Sequence, residues 1–125
     1  MKRIALLLAA VTGALLLQPA ASAHHRPSSS CSESGDVCVS ATKVDGVRKL
    51  QIGLAAKYFD RYQLCVTAPD KSVECHRFAI GKRANGSFGD SVRWGVWYED
   101  GGPGAYTVRW KNAGNTLGTA GFHTY

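Results

Sequence analysis

The chain predicts an all-β fold, a sandwich of about seven strands in one small domain. Two observations carry this. Past residue 30 no helical period persists, and in its place short runs alternate apolar with polar side chains. Gly, Pro, Asp and Asn break those runs at regular intervals, as turns between strands do.

The first residues stand apart from this pattern. Lys2 and Arg3 precede an apolar stretch from Ile4 to Leu17, Pro19 ends it, and Ala21-Ser22-Ala23 offers the small residues that a signal peptidase cuts after. The stretch is shorter than the ~20 apolar residues of a membrane span. Residues 1–23 therefore read as a signal peptide, residues 24–36 as a flexible, Ser-rich segment, and residues 37–125 as the domain. No cysteine stands at the cleavage point to carry a lipid, and no later stretch is apolar enough to anchor. The expectation is a secreted, extracellular protein without a membrane anchor. Cleavage leaves 102 of the 125 residues, with 13 basic against 9 acidic side chains, a net charge of +4. The basic residues are scattered, with short pairs such as Arg48-Lys49 and Lys82-Arg83, so nucleic acid is not an expected partner.

All four cysteines, Cys31, Cys38, Cys65 and Cys75, fall in the exported part, where disulfides persist. Four cysteines allow three connectivities, and local pairing, Cys31 with Cys38 and Cys65 with Cys75, is the expected one. In the first hairpin, Asp45-Gly46 is a two-residue turn that sets Val44 against Val47, Ala41 against Leu50, Val39 against Ile52 and Val37 against Leu54, all expected on one apolar face. In the second, a three-residue loop Pro69-Asp70-Lys71, with Lys71 left-handed, is closed by Ala68 and Ser72. Cys65 then lies opposite Cys75 in a non-hydrogen-bonded pair, where Cα atoms approach to roughly 4.5 Å. The core face carries Tyr62, Leu64, Val66, Phe78 and Ile80, and the disulfide looks outward.

"SVRWGVWYED" reads as a strand with Val92, Trp94, Val96 and Tyr98 on one face and Arg93, Trp97 and Glu99 on the other. "AYTVRWK" sets Tyr106, Val108 and Trp110 inward and Thr107, Arg109 and Lys111 outward. "KNAGN" is a turn, and "TLGTAGFHTY" closes the chain with Leu117, Ala120 and Phe122 inward around a bulge at Gly118.

"GGPGAYTVRW", a Gly/Pro turn running through Tyr106 into a strand, resembles the lead into the sixth strand of an immunoglobulin-like domain. The resemblance implies an immunoglobulin-like β-sandwich in which Tyr106 makes a corner hydrogen bond. The cysteine-tryptophan-cysteine spacing of antibody domains is missing. Taken with "CSESGDVCVSA", "AAKYFDRYQLCV" and "LGTAGFHTY", most of the mature chain is similar to a group of small secreted actinobacterial proteins that lack a known activity. The cysteine hairpin is also similar to one in neocarzinostatin-type apoproteins, a likeness of fold alone.

No G-x-S-x-G elbow, H-E-x-x-H pair or phosphate-cradling loop occurs, so no enzyme and no cofactor are expected. The cysteine spacing is not that of a zinc site, nor that of a C-x-x-C redox pair. His76, opposite Leu64, reads as a partly buried structural histidine. Asn85-Gly86-Ser87 matches a glycosylation acceptor, which an Asn-Gly turn explains equally well. For binding, the candidates are Arg93 with Trp97, and Arg109 with Lys111 on another strand. An exposed Trp can stack on a sugar or a cation, whereas a Trp97 covered by a loop would be structural. The expected partner is an extracellular protein or polysaccharide. The rival is copper: a processed terminus at His24 would offer amine and imidazole to Cu(II), with His25 and a third histidine, His123, completing the set. Lytic polysaccharide monooxygenases and small periplasmic copper carriers begin with a histidine in this way.

Overall fold

The computed structural model describes residues 26–125. The leader, residues 1–23, and two of the three copper candidates, His24 and His25, lie outside the described residues. Nine strands and no helix are present among those described: β1 (Ser29–Cys31), β2 (Val37–Val44), β3 (Val47–Leu54), β4 (Arg61–Thr67), β5 (Val73–Ala79), β6 (Gly81–Lys82), β7 (Phe88–Arg93), β8 (Gly104–Asn112) and β9 (Asn115–Thr124). Seven have six residues or more, and the two short ones, β1 and β6, escape a sequence pattern that needs several alternations to be seen.

Two antiparallel sheets face each other, in the orders β1-β2-β3-β7-β6 and β5-β4-β8-β9. Strands β2, β3, β7 and β6 take the A-B-E-D places of an immunoglobulin-like sandwich, and β4, β8 and β9 the C-F-G places, with β5 added beside β4. The core between the sheets is made by Val39, Leu50, Ile52, Leu64, Val108, Trp110 and their neighbours, all buried. At the head of β8, the Tyr106 hydroxyl donates to the Gly102 carbonyl at 2.7 Å, the corner bond the sequence led us to expect.

Both hairpins hold their expected register. Asp45 and Gly46 have φ of 51° and 77°, the two left-handed residues of a type I′ turn, and Ala41–Leu50, Val39–Ile52 and Val37–Leu54 pair facing the core. Val44–Val47 does not join them. A side-chain period of two puts Val44 on the face opposite Ala41, and Val44 is 38% exposed. The inward places at that tip go to Lys43 and Arg48, and the Arg48 guanidinium lies 4.6 Å over the Phe122 ring while donating to the Ala41 carbonyl at 2.9 Å. In the second hairpin Lys71 has φ 74°, and Ala68 N–H donates to Ser72 O at 2.9 Å. Cys65 and Cys75 are register partners with Cα atoms 4.1 Å apart and are disulfide-bonded, as are Cys31 and Cys38.

One further expectation fails. The segment from Ser91 to Asp100 is not one strand: β7 stops at Arg93, and Gly95, at φ 90°, turns the chain toward the other sheet. Alternation is lost there, so Val96 is 66% exposed while Trp94 packs 5.2 Å from the Tyr106 ring and Tyr98 is buried, donating to Leu64 O at 2.6 Å. The described part of the segment before residue 37 is tied to both sheets. From Ser29 it is strand, because Cys31–Cys38 ties it to β2 and the Ser28 carbonyl accepts from Ala41 N–H at 2.7 Å. Before it, the Pro27 carbonyl accepts from Gly121 N–H of β9 at 3.0 Å.

The last hairpin turns at Ala113 and Gly114, with φ of 49° and 81°. The register between β8 and β9 slips beside Gly118, where the bulge was expected. Gly118 is there for space: a Cβ on it would stand 2.6 Å from the Val39 Cγ2 across the core.

Candidate binding face

Alternation along the four-stranded sheet leaves one whole face to solvent. On β4 the outward places follow from inward Tyr62, Leu64 and Val66, and so belong to Arg61, Gln63, Cys65 and Thr67. Register carries the face sideways. Gln63 lies between Arg77 of β5 and Lys111 of β8, while Cys65 lies between Cys75 and Arg109. With strands about 4.8 Å apart and same-face residues about 6.6 Å apart along a strand, the backbones of Arg77 and Lys111 stand about 10 Å apart with Gln63 between them. Arg61, Arg77 and Arg109 are exposed and Lys111 is half-buried.

No acidic side chain shares this face. All nine Asp and Glu residues are elsewhere: seven in the connections between strands, and Glu74 and Asp90 on the inward sides of β5 and β7. Among the described residues the ion pairs are Lys57–Asp60 and His76–Glu74, so Arg61, Arg77, Arg109 and Lys111 have no carboxylate partner. The cause lies in the order of the residues. On β4, β5 and β8, every position opposite in parity to a core residue is basic, neutral polar, cysteine or small, save the exposed Val73.

The face is not flat. Arg61, Gln63, Arg77 and Lys111 line a depression of about 280 Å³ that the Asn112–Gly114 turn closes at one end. Asn112 Nδ2–H donates to the Arg61 carbonyl at 2.8 Å and so pins that turn against the start of β4.

Of the four residues the sequence singled out for binding, the structure groups Arg109 and Lys111 on this face and sends the other two elsewhere. Arg93 is the register partner of Lys49 on the outer side of the other sheet. Trp97, carried past Gly95, packs edge-on to Phe78 at 5.3 Å between ring centres and remains 53% exposed. Arg61 and Arg77 were missed. Their own alternation with Gln63, Cys65 and Cys75 marks them as outward, but their meeting with Arg109 and Lys111 depends on β4 pairing with β8, more than forty residues away in sequence.

His76 is half-buried beneath the loop after β7, as a structural histidine would be. Its ring meets Tyr98 edge-on at 5.0 Å, and its Nε2 donates to Glu74 Oε1 at 2.9 Å. Glu74 Oε2 accepts from Glu99 N–H at 3.3 Å. These bonds, that from His76 foremost, hold the Glu74 carboxyl below its ordinary range. Three tyrosines are pushed the other way: burial raises the phenols of Tyr62, Tyr98 and Tyr106, helped by Asp90 at Tyr62, Glu74 at Tyr98 and Asp100 at Tyr106.

His123 is exposed on β9, its ring 4.9 Å from that of Tyr125. It shares a depression of about 160 Å³ with Ser28 and with Arg26, which lies over Gly121. Among the described residues, no group of three His, Cys, Asp or Glu side chains could hold a metal ion.

Comparison of the chain with protein-family models, with curated proteins and with solved structures finds no match. Fold and face together define its class: an immunoglobulin-like sandwich with two disulfides and a cationic outer sheet face.

Proposed function

We propose that the protein is an exported, non-catalytic binding module whose four-stranded sheet presents its outer face to an anionic polysaccharide. One observation carries the reading: Arg61, Arg77, Arg109 and Lys111 stand together on a face that bears no carboxylate and none of them is ion-paired. Like charges gathered without counterions destabilise the free protein slightly and favour a polyanion that displaces the salt around them. Each exposed contact is worth little, ~0.2–1 kcal/mol, and a polymer supplies many at once. Export is supported by the leader pattern of residues 1–23, and two disulfides fit an extracellular or otherwise oxidising compartment. Titration calorimetry of the mature protein against an anionic and a neutral polysaccharide tests the reading. Binding to the anionic one is expected to fall with salt, with a slope of roughly −2 to −3 in log K against log salt if four charges engage. Equal affinity for the neutral polymer, or no salt dependence, defeats it.

One observation favours copper as a second reading. Arg26 and Pro27 lie along β9 beside His123, and His25 precedes Arg26 by a single peptide, ~3.8 Å between Cα atoms. A processed His24 terminus would offer amine and imidazole to Cu(II), and His123 is the candidate for a third nitrogen ligand. Cu(II) titration of the mature chain is expected to show affinity that drops on His123→Ala. No drop removes this reading.

A further inference from the structure

The cationic face is uneven, and its unevenness selects a ligand group. Arg61, Arg77 and Lys111 converge on the depression of about 280 Å³, whereas Arg109 stands one row away beside the Cys65–Cys75 bridge. We propose that this depression is a subsite for one tetrahedral oxyanion, a phosphate or sulfate ester on the bound chain. The proposal rests on the anionic-polysaccharide reading above and names the charged group it requires.

The argument is one of donors and directions. Arg61 comes from β4, Arg77 from β5 and Lys111 from β8, so three cations approach from three strands, and Gln63 adds an amide between them. Two guanidinium forks and an ammonium offer many N–H donors and no acceptor. A carboxylate offers two oxygens in one plane and is filled by a single guanidinium fork. A sulfate or phosphate ester offers three free oxygens in three directions, so each cation can meet one. Charge points the same way at a phosphate monoester, which brings close to two negative charges where three positive ones are gathered. The turn at the rim is fixed independently of any ligand: Asn112 Nδ2 is committed to Arg61 O at 2.8 Å. Lys111 and Gln63 are half-buried, which limits the rotamer freedom lost on binding.

The test is an NMR titration of the mature protein, following the arginine Nε–Hε and glutamine amide signals. Inorganic phosphate, sulfate and acetate are added at matched ionic strength. Saturable shifts at Arg61, Arg77 and Gln63 are expected with phosphate and sulfate, and binding about tenfold weaker or more with acetate. Arg77→Gln is expected to weaken phosphate or sulfate by roughly two- to fivefold, as loss of one exposed charged contact does. Arg93→Gln removes the same charge from the other sheet and should change nothing, and the dispersed spectrum of each variant shows that it is folded. Among polysaccharides of equal charge density, those bearing phosphate or sulfate groups are expected to bind more tightly than one bearing uronic acid groups, and equal affinity for the uronic acid polymer overturns the subsite. Equal affinity for acetate, or equal weakening by Arg93→Gln, overturns the subsite even if polymers still bind. Saturable phosphate shifts without binding of any polymer uphold the subsite and overturn the polysaccharide reading. Absence of both overturns both.

Discussion

Replacing Tyr62 by Phe removes one hydroxyl from the only side-chain hydrogen bond, among the described residues, that joins β4 to β7 across the sandwich. Tyr62 is 2% exposed, and its hydroxyl donates to Asp90 Oδ2 at 2.8 Å. Asp90 is the register partner of Ile52 and so faces inward from the opposite sheet. The ring stays in the variant, with its packing 5.8 Å from the Phe78 centroid unchanged, so no cavity adds to the loss. A hydrogen bond to a charged acceptor is worth ~1.5–3 kcal/mol. Because Asp90 is half-buried and water can reach it, the lower part of that range applies, ~1.5–2 kcal/mol. At roughly 4–8 °C per kcal/mol for a domain of this size, the melting temperature should fall by about 6 to 16 °C. Calorimetry or circular dichroism measures this at neutral pH. A double-mutant cycle with Asp90→Ala isolates the pair: in that background Tyr62→Phe should be close to neutral. A loss that is the same with and without the Asp90 carboxylate refutes the inter-sheet bond as the cause. The linkage with pH has a definite sign. Burial and Asp90 raise the Tyr62 phenol above its ordinary 10.0, so its contribution is full below that value and fades as the pH rises beyond it. The variant should therefore lose less stability than the parent on the alkaline side.

Three further outcomes are expected. Gly118→Ala places a methyl 2.6 Å from Val39 Cγ2 in a closed core and should destabilise by ~1–3 kcal/mol, much of it recovered by adding Val39→Ala; an unchanged denaturant midpoint would count against the packing described. Replacing both Cys65 and Cys75 with Ala opens a loop with a sequence separation of 10 and should lower stability by roughly 2.5–3 kcal/mol in the chain-entropy model, while intact mass of the parent should show no free thiol. Glu74 has its carboxyl held below the ordinary 4.5 by the bond from His76 first and that from Glu99 N–H second, so these ties contribute above that pH and are lost as the pH falls through the lower folded value. Trp97 fluorescence should report that acid change, and Glu74→Gln should flatten it.

Much of the fold was legible because local rules governed it. Asp45-Gly46 could be read as a turn since both residue types suit left-handed backbone, and Pro69-Asp70-Lys71 since proline presets the φ of a type I turn, and each turn then dictated the register of its hairpin, including Cys65 opposite Cys75. Alternation failed where one residue redirected the chain. Gly95 ends the run that makes Val92 and Trp94 inward, and nothing in "SVRWGVWYED" marks that glycine as a turn and not a bulge. Val44 and Val47 misled for another reason: both are apolar, yet parity put them on the solvent side and gave the inward tip to Arg48, whose guanidinium covers Phe122.

The cationic face was half-visible. Arg109 and Lys111 could be named as outward from their own strand, because a period of two is a property of three or four neighbouring residues. Arg61 and Arg77 could be placed outward by the same rule, but not beside them. That adjacency comes from the antiparallel pairing of β4 with β8, chosen by which apolar faces close the core, whereas the turn at Gly95 is what separates Arg93 from Trp97. By itself, then, the sequence determined most of the longer strands, the turns of the first two hairpins and which side of β4 and β8 carries charge, since those depend on local sterics and alternation. Only the tertiary structure decided which charged strands became neighbours, because strand order is set by burial summed over the whole chain.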